Sequence, residues 1–303
     1  MTSSALVQKS VAVARAPQAD KDIYTNENPL RGHKGARSVA GGLLVGQAVS
    51  AASATVDPTF QVYSSQSSFI RPAQANSPVA YWVDRTADGR NFVTRTVRAV
   101  QRDECVYIAV ISFRNTAVSP SRVLQYQIAK PDVRITPEEI PTGEIARFNR
   151  SIVDESMPIL QLTPDEVAFD WRFIGLETAD SPSGFRTRSF VRSPPLSTRD
   201  RSVHLAALAF LSDEFIFGIA LFANPAAVGL NMKNISLGAS LTHTVSFHDA
   251  EVEVDDWLIV ERDTSWGDDG RVLVNQRMWN VRTGRLVISG VQEALVRLKD
   301  AKL

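Results

Sequence analysis

Cysteine is nearly absent: Cys105 stands alone among 303 residues. A single thiol can form neither an internal disulfide nor a cysteine-based zinc site, which fits a reducing compartment. Net charge is absent as well, with 33 basic residues against 33 acidic ones. A neutral balance supplies no field that would draw the chain to nucleic acid or to an anionic membrane. Long apolar runs are also missing. Leu205–Leu230 comes nearest, but Ser212-Asp213-Glu214, Asn224 and Pro225 interrupt it, short of the roughly 18 apolar residues that a membrane span needs. The N-terminus has no basic patch followed by an apolar stretch, so a secretory signal is not expected. His204, His243 and His248 lack the spacing of paired metal ligands on one helix. The acidic GDDGR, Gly267–Arg271, lacks the ligand spacing of a calcium loop and reads as a hairpin turn. There is no Gly-x-Ser-x-Gly elbow, which argues against a serine esterase.

What remains is ordinary globular material, 44% hydrophobic and 22% charged, long enough for one large domain or two of usual size. Residues 1–35 are polar without a sustained period and read as a loose lead-in. GGLLVGQAVSAASATV, Gly41–Val56, then reads as a helix of small residues with almost no charge, which has to be covered on most sides. VYSSQSSFIRP, VAYWVDRT, RNFVTRTVRAVQ and CVYIAVISFR follow, strands by alternation and β-branched content. The same order then recurs. HLAALAFLSDEFIFGIAL begins as an apolar helix, and ASLTHTVSFHD, DWLIVERDTSW, GRVLVNQRMWNV and RLVISGVQEALVRL are its strands.

A repeat of roughly 180 residues is a duplicated domain, because solenoid periods are far shorter. Residues 36–115 form the first unit, 116–165 a linker rich in proline and charge, and 166–303 the second unit. A helix this apolar followed by an antiparallel meander predicts a sheet wrapped around the helix. Two such sheets joined edge to edge would remove an exposed edge strand. The expected class is α+β, a double hot-dog.

The residues carry a resemblance in order and spacing. RSVAGGLLVGQA, SSFIRP and DGRNFVTRTVRAVQ in the first half, with ALAFLSD, ASLTHTVSFHD, DDWLIVERDTS and the long segment from Gly270 to Arg297 in the second, resemble the acyl-CoA thioesterase II family. The likeness spans roughly residues 30–300. It implies hydrolysis of acyl-CoA to free acid and CoA, with no cofactor and no metal. It also implies a site made of Asp213 in LSD, Ser240 in ASLTH and Gln292 in VQE. The chain departs from the family's usual pattern at Ala40 and Leu43, either side of the paired glycines, and at Thr242 and Ser246. Those departures leave the trio intact and bear on the acyl chain accepted.

The chemistry suits these residue types. Asp213 can take a proton from water, and Ser240 and Gln292 can fix that water without competing for the proton. The corresponding first-half positions are Val62 and the run Val110-Ile111, so the first unit reads as non-catalytic, leaving one site per chain. Two alternatives stand beside ordinary acyl-CoA hydrolysis. One is a thioesterase of a specialised pathway acting on an unusual branched or polyketide-derived CoA ester; the other is a hot-dog protein that binds acyl-CoA without turning it over. The chain ends Ala301-Lys302-Leu303, close to the Ser-Lys-Leu peroxisomal address. A peroxisomal location, with the import receptor as partner, follows as an expectation. Pairing of copies through free sheet edges is a further possibility.

Overall fold

The computed structural model describes residues 5–17, 21–32, 38–118, 122–140, 168–229 and 232–299. Two helices sit inside one long, strongly curved sheet. The first, α2 (Gly41–Ser53), follows a short α1 (Leu6–Val11) and has ten of its thirteen residues buried. The second, α3 (Arg201–Asp213), starts at the Asp200 N-cap, whose carboxylate accepts the Ser202 N–H at 2.9 Å. Capping of this kind satisfies a backbone donor that the first helical turn leaves open. Two further short helices, α4 (Gly218–Phe222) and α5 (Pro225–Val228), lead away from α3.

The strands run β1 (Val13–Arg15), β2 (Ile23–Asn26), β3 (Phe60–Phe69), β4 (Ala80–Asp88), β5 (Phe92–Gln101), β6 (Glu104–Asn115), β7 (Asp170–Glu177), β8 (Arg186–Arg192), β9 (Ile235–Phe247), β10 (Leu258–Asp268), β11 (Arg271–Asn280) and β12 (Leu286–Leu298). They form one sheet in the order β1-β2-β4-β5-β6-β3-β9-β12-β11-β10-β8-β7. Antiparallel pairing of β3 with β9, with Ser64 opposite Ser246 and Ser67 opposite His243, joins the halves. Each half wraps its own helix, the double hot-dog arrangement. GDDGR makes the turn expected of it: Asp269 and Gly270 both take positive φ between β10 and β11, the conformation a two-residue hairpin loop requires.

Three expectations change. The described part of residues 1–35 is not a loose lead-in: α1 packs against the core, and β1 and β2 extend the sheet beyond β4. They are the counterparts of β7 and β8, which extend it beyond β10. The duplication therefore covers six strands per half, not four. Strands of three and four residues are too short to show alternation, which hid them.

Second, the described part of the linker is strapped down. Gln127 bonds the Gly284 carbonyl and the Leu286 N–H, and Ile140 packs with Phe190, Ile259 and Trp279 on the outer face of the second sheet. Residues 141–165 lie outside the described residues, as does the tail Ala301-Lys302-Leu303. Third, Arg201–Phe222 does reach the length and apolar content of a membrane span, but most of it is buried within the protein as core helix.

Helices α2 and α3 cross where Gly42 and Gly46 of one face Ala206 and Phe210 of the other. Glycines four apart share a helix face, and their missing side chains let the two backbones approach. That contact couples the halves and sets the site.

Candidate active site

Asp213 is the last residue of α3. Carboxylates are disfavoured at the negative end of their own helix. This one is turned toward the start of α2 instead. Its Oδ2 lies where a Cβ on Gly41 would come within 2.7 Å, and the Gly42 N–H donates to the carboxylate. The positive end of the first unit's helix thus meets an acid from the second unit.

The other two expected residues meet it there. Gln292, on β12 and fully buried, donates from Nε2 to Asp213 Oδ1 at 2.5 Å, and the Ser240 hydroxyl on β9 also donates to Asp213. Burial pushes the Asp213 carboxyl up to about 6. The bonds from Gln292, Gly42 and Ser240 and the charge of Arg262 pull the other way and limit the rise. The result is a carboxylate close to neutral pH, the range of an effective general base.

The trio does not line up as three equal holders of one water. Asp213 and Ser240 line a cavity of about 810 Å³, whereas Gln292 is not among its lining residues and stands behind Asp213. Behind Gln292 lies His243. Ser212 donates its hydroxyl proton to the Ala209 carbonyl at 2.7 Å, so at 2.8 Å it accepts from His243 Nε2. That assignment leaves Nδ1 with a lone pair 3.5 Å from Gln292 Nε2. Burial, then the charge of Arg262, holds His243 down to about 4, so the ring is neutral. The chain Ser212–His243–Gln292 turns the amide nitrogen toward Asp213. Gln292 Oε1 is buried with no hydrogen-bond partner among the described residues.

Two residues escaped the sequence reading altogether. Arg262 of β10 is 7% exposed, lines the cavity, and donates from Nη2 to the Glu214 carbonyl at 2.9 Å and from Nε to Gln276 Oε1 at 3.3 Å. Burial lowers its guanidinium to about 10, still charged at neutral pH. Glu214, next to the base, accepts the Trp171 indole N–H at 2.8 Å, and burial pushes it up to about 7. In the sequence Arg262 sits in the charge run Glu261-Arg262-Asp263, which resembles a solvated surface, and Glu214 only interrupts an apolar run.

The cavity draws on both halves, with Ala40, Leu44 and Phe69 from the first and Trp171, Phe217 and Leu221 from the second. At the positions equivalent to Ser240 and Gln292, the first half has Val62 and Ile111, both buried among apolar neighbours. Of the four departures from the family pattern, Ala40 lines the cavity. Leu43 is in the core, Thr242 is exposed, and Ser246 sits half-buried opposite Ser64 at the junction of the halves.

A carboxylate poised near neutrality, at the wall of an apolar cavity spanning two helix-wrapped sheets, suits hydrolysis of a thioester with a long apolar arm. Comparison with known proteins decides the family. The Acyl-CoA thioesterase N-terminal domain matches residues 30–114 and the Acyl-CoA thioesterase C-terminal domain matches residues 155–296. The chain belongs to the acyl-CoA thioesterase II family.

Acyl-coenzyme A thioesterase 8 of Rattus norvegicus is 29% identical over 86% of this chain and 80% of its own length. Peroxisomal acyl-coenzyme A thioester hydrolase 1 of Saccharomyces cerevisiae is 22% identical over 86% of each chain. The crystal structure of the acyl-CoA thioesterase II TesB2 from Mycobacterium marinum superposes with a TM-score of 0.73 at 24% identity, covering 98% of this chain and 99% of its own. At that identity the structure speaks for the fold. Membership of the family makes the chain an acyl-CoA thioesterase, which hydrolyses acyl-CoA to the free acid and CoA.

Proposed function

We propose that Asp213 is the general base of this hydrolysis, that Ser240 shares the water with it, and that Gln292 acts by holding Asp213. One observation carries the reading: the Asp213 carboxylate faces the cavity while Gln292, 2.5 Å away, fixes its orientation from behind. Water held between Asp213 and Ser240 gives a proton to Asp213 as its oxygen attacks the acyl carbon. The C–S bond then breaks, and the proton on Asp213 passes to the departing CoA thiolate. Atoms balance as acyl-CoA plus water giving acid plus CoA. The start of α2, which lines the cavity at Ala40 and Gly41, offers the positive end of a helix dipole to the developing oxyanion.

Single turnover in ¹⁸O-water with enzyme in excess separates this route from a covalent one. Direct attack labels the free acid in the first turnover and leaves Asp213 unlabelled. Unlabelled acid with label in Asp213 would assign the carboxylate a nucleophile's role.

We propose a peroxisomal location. Ala301-Lys302-Leu303 reads as a peroxisomal address, and the yeast relative carries that location in its name. The import receptor is then the partner. A fluorescent protein fused to the N-terminus is expected in puncta with a peroxisomal marker, becoming diffuse when Ala301–Leu303 is deleted. Diffuse fluorescence with the tail intact would remove the assignment.

A further inference from the structure

The cavity holds more polar chemistry than hydrolysis of a plain acyl chain uses. Its polar side chains fall into three groups: Ser38 and Arg71, the reacting pair Asp213 and Ser240, and a cluster made of Arg262, Thr187 and Ser189. Arg71 is half exposed and pairs with Glu104 at 3.7 Å, so it belongs to the mouth. The third group lies inside. Arg262 and Thr187 are 7% and 9% exposed.

Register explains the cluster. Arg262 of β10 stands directly opposite Thr187 of β8, and Ser189 lies two residues along β8 on the same face. Side chains two apart on a strand share a face, so all three project into the cavity from one wall. Trp171 of β7 supports this wall, with the guanidinium 5.0 Å from its ring centre.

None of the three is fully satisfied by the protein. Arg262 spends Nε on Gln276 and one Nη2 hydrogen on Glu214, whose carbonyl ends α3. Its Nη1 makes no hydrogen bond among the described residues, and no carboxylate there comes within 4 Å of the guanidinium. Neither the Thr187 nor the Ser189 hydroxyl has a side-chain hydrogen bond among the described residues. A guanidinium carries five donors in a fixed fork, and leaving them unpaired in an apolar cavity is costly. The bonds to Gln276 and Glu214 leave donors of the fork over, on a residue that lines the cavity.

We infer that this wall recognises an oxygen on the acyl chain, and that the substrates are acyl-CoA esters bearing a hydroxyl or keto group within a few carbons of the thioester. The inference rests on the hydrolase reading, because it takes the cavity to be the acyl site. Position along the chain follows from the bond between Arg262 and Glu214, the residue adjoining the proposed base. Arg262 is 7% exposed, whereas the phosphates of CoA lose strong hydration if they leave the solvent. A neutral oxygen is favoured over a carboxylate by charge balance: Asp213 and Glu214 already act on Arg262 at longer range. A further anion would be left uncompensated in an apolar cavity.

The test compares kcat/KM of the wild-type enzyme for straight-chain acyl-CoA esters with their 3-hydroxy, 3-keto and terminal-carboxylate counterparts of equal length. Hydroxy and keto esters are expected to lead by roughly 10- to 100-fold, the range for a hydrogen bond to a charged group. The double variant Thr187→Val, Ser189→Ala is expected to lose part of that lead, read as the ratio between oxygenated and plain esters. Arg262→Met is read by the ratio between oxygenated and plain esters, which is expected to fall to within about threefold of unity. Melting curves for each variant separate misfolding from altered selectivity.

Equal wild-type rates on plain and oxygenated esters would overturn the inference, as would a carboxylate ester leading the series. A uniform loss across all esters in Arg262→Met would overturn it too, assigning Arg262 to the reacting centre. Failure to release thiol from any ester would overturn the hydrolase reading beneath it.

Discussion

Alanine at position 42 has to move the two central helices apart. A Cβ there would lie 2.4 Å from Phe210 Cδ2 and 2.6 Å from the Phe210 carbonyl oxygen. The ring can rotate, but the carbonyl is part of the α3 backbone. Restoring ordinary contact requires a shift of about 1 Å between α2 and α3. Because the Gly42 N–H rides on α2 and Asp213 on α3, the same shift pulls the donor away from the base. Misplacing a reacting group by about 1 Å costs on the order of 10²-fold in rate. Overpacking costs about 1–3 kcal/mol, offset in part by up to ~1 kcal/mol for replacing a helical glycine. Gly42→Ala is therefore expected to lose about two orders of magnitude in kcat/KM with only a few degrees of melting temperature.

Gly46→Ala is the control. Its Cβ would lie 2.9 Å from the Ala206 carbonyl oxygen and 2.8 Å from Val11 Cγ1, one turn farther from Asp213 than Gly42. A similar loss of stability with a smaller loss of rate is expected, read by thiol release and thermal melting on the same preparations. Wild-type turnover in Gly42→Ala, or equal rate losses in both variants, would refute the dependence of Asp213 on the start of α2.

Other consequences are as direct. The base works ionised, and burial sets it at about 6, so kcat/KM should rise with pH through that value and fall tenfold per unit below it; a flat profile between pH 5 and 7 would contradict the assignment. The same elevation has a cost in stability: the folded state binds the Asp213 proton more tightly than the unfolded chain. Stability is thus fully present below the ordinary carboxylate range near 4 and declines as pH rises to about 6. Asp213→Asn should melt no lower than wild type at pH 8, and its advantage should shrink on acidification. Ser240→Ala and Gln292→Ala act on one carboxylate, so their combined loss in kcat should fall short of the product of the single losses; strict multiplicativity would separate their roles.

The wrapped-helix architecture was legible because α2 and the stretch Leu205–Leu211 of α3 offer no polar face, and because β5, and β6 from Tyr107 on, alternate between buried and outward residues. Asp213 and Gln292, 79 positions apart in the chain, do meet. What stayed hidden shares a cause. Glu261-Arg262-Asp263 reads as a solvated charge run, yet Glu261 and Arg262 are both buried, on opposite faces of β10. The linker strap and Trp257 lie on the outer side of the second sheet, where Glu261 pairs with Arg188 at 2.8 Å, while the cavity occupies the other. Burial on both faces of a strand depends on what packs across it, and local alternation carries no record of that. The support of Gln292 by His243 and Ser212 is hidden for the same reason, since it joins three separate elements.

Turnover of Asp213→Asn tests the account most directly. The substitution keeps the side chain's shape and its acceptor for Gln292 while removing the ability to take a proton. A fall in kcat of about two orders of magnitude or more is expected for a lost general base, in protein that melts at or above the wild-type temperature at pH 8. Activity within tenfold of wild type in that folded variant would contradict the account and move the chemistry away from Asp213.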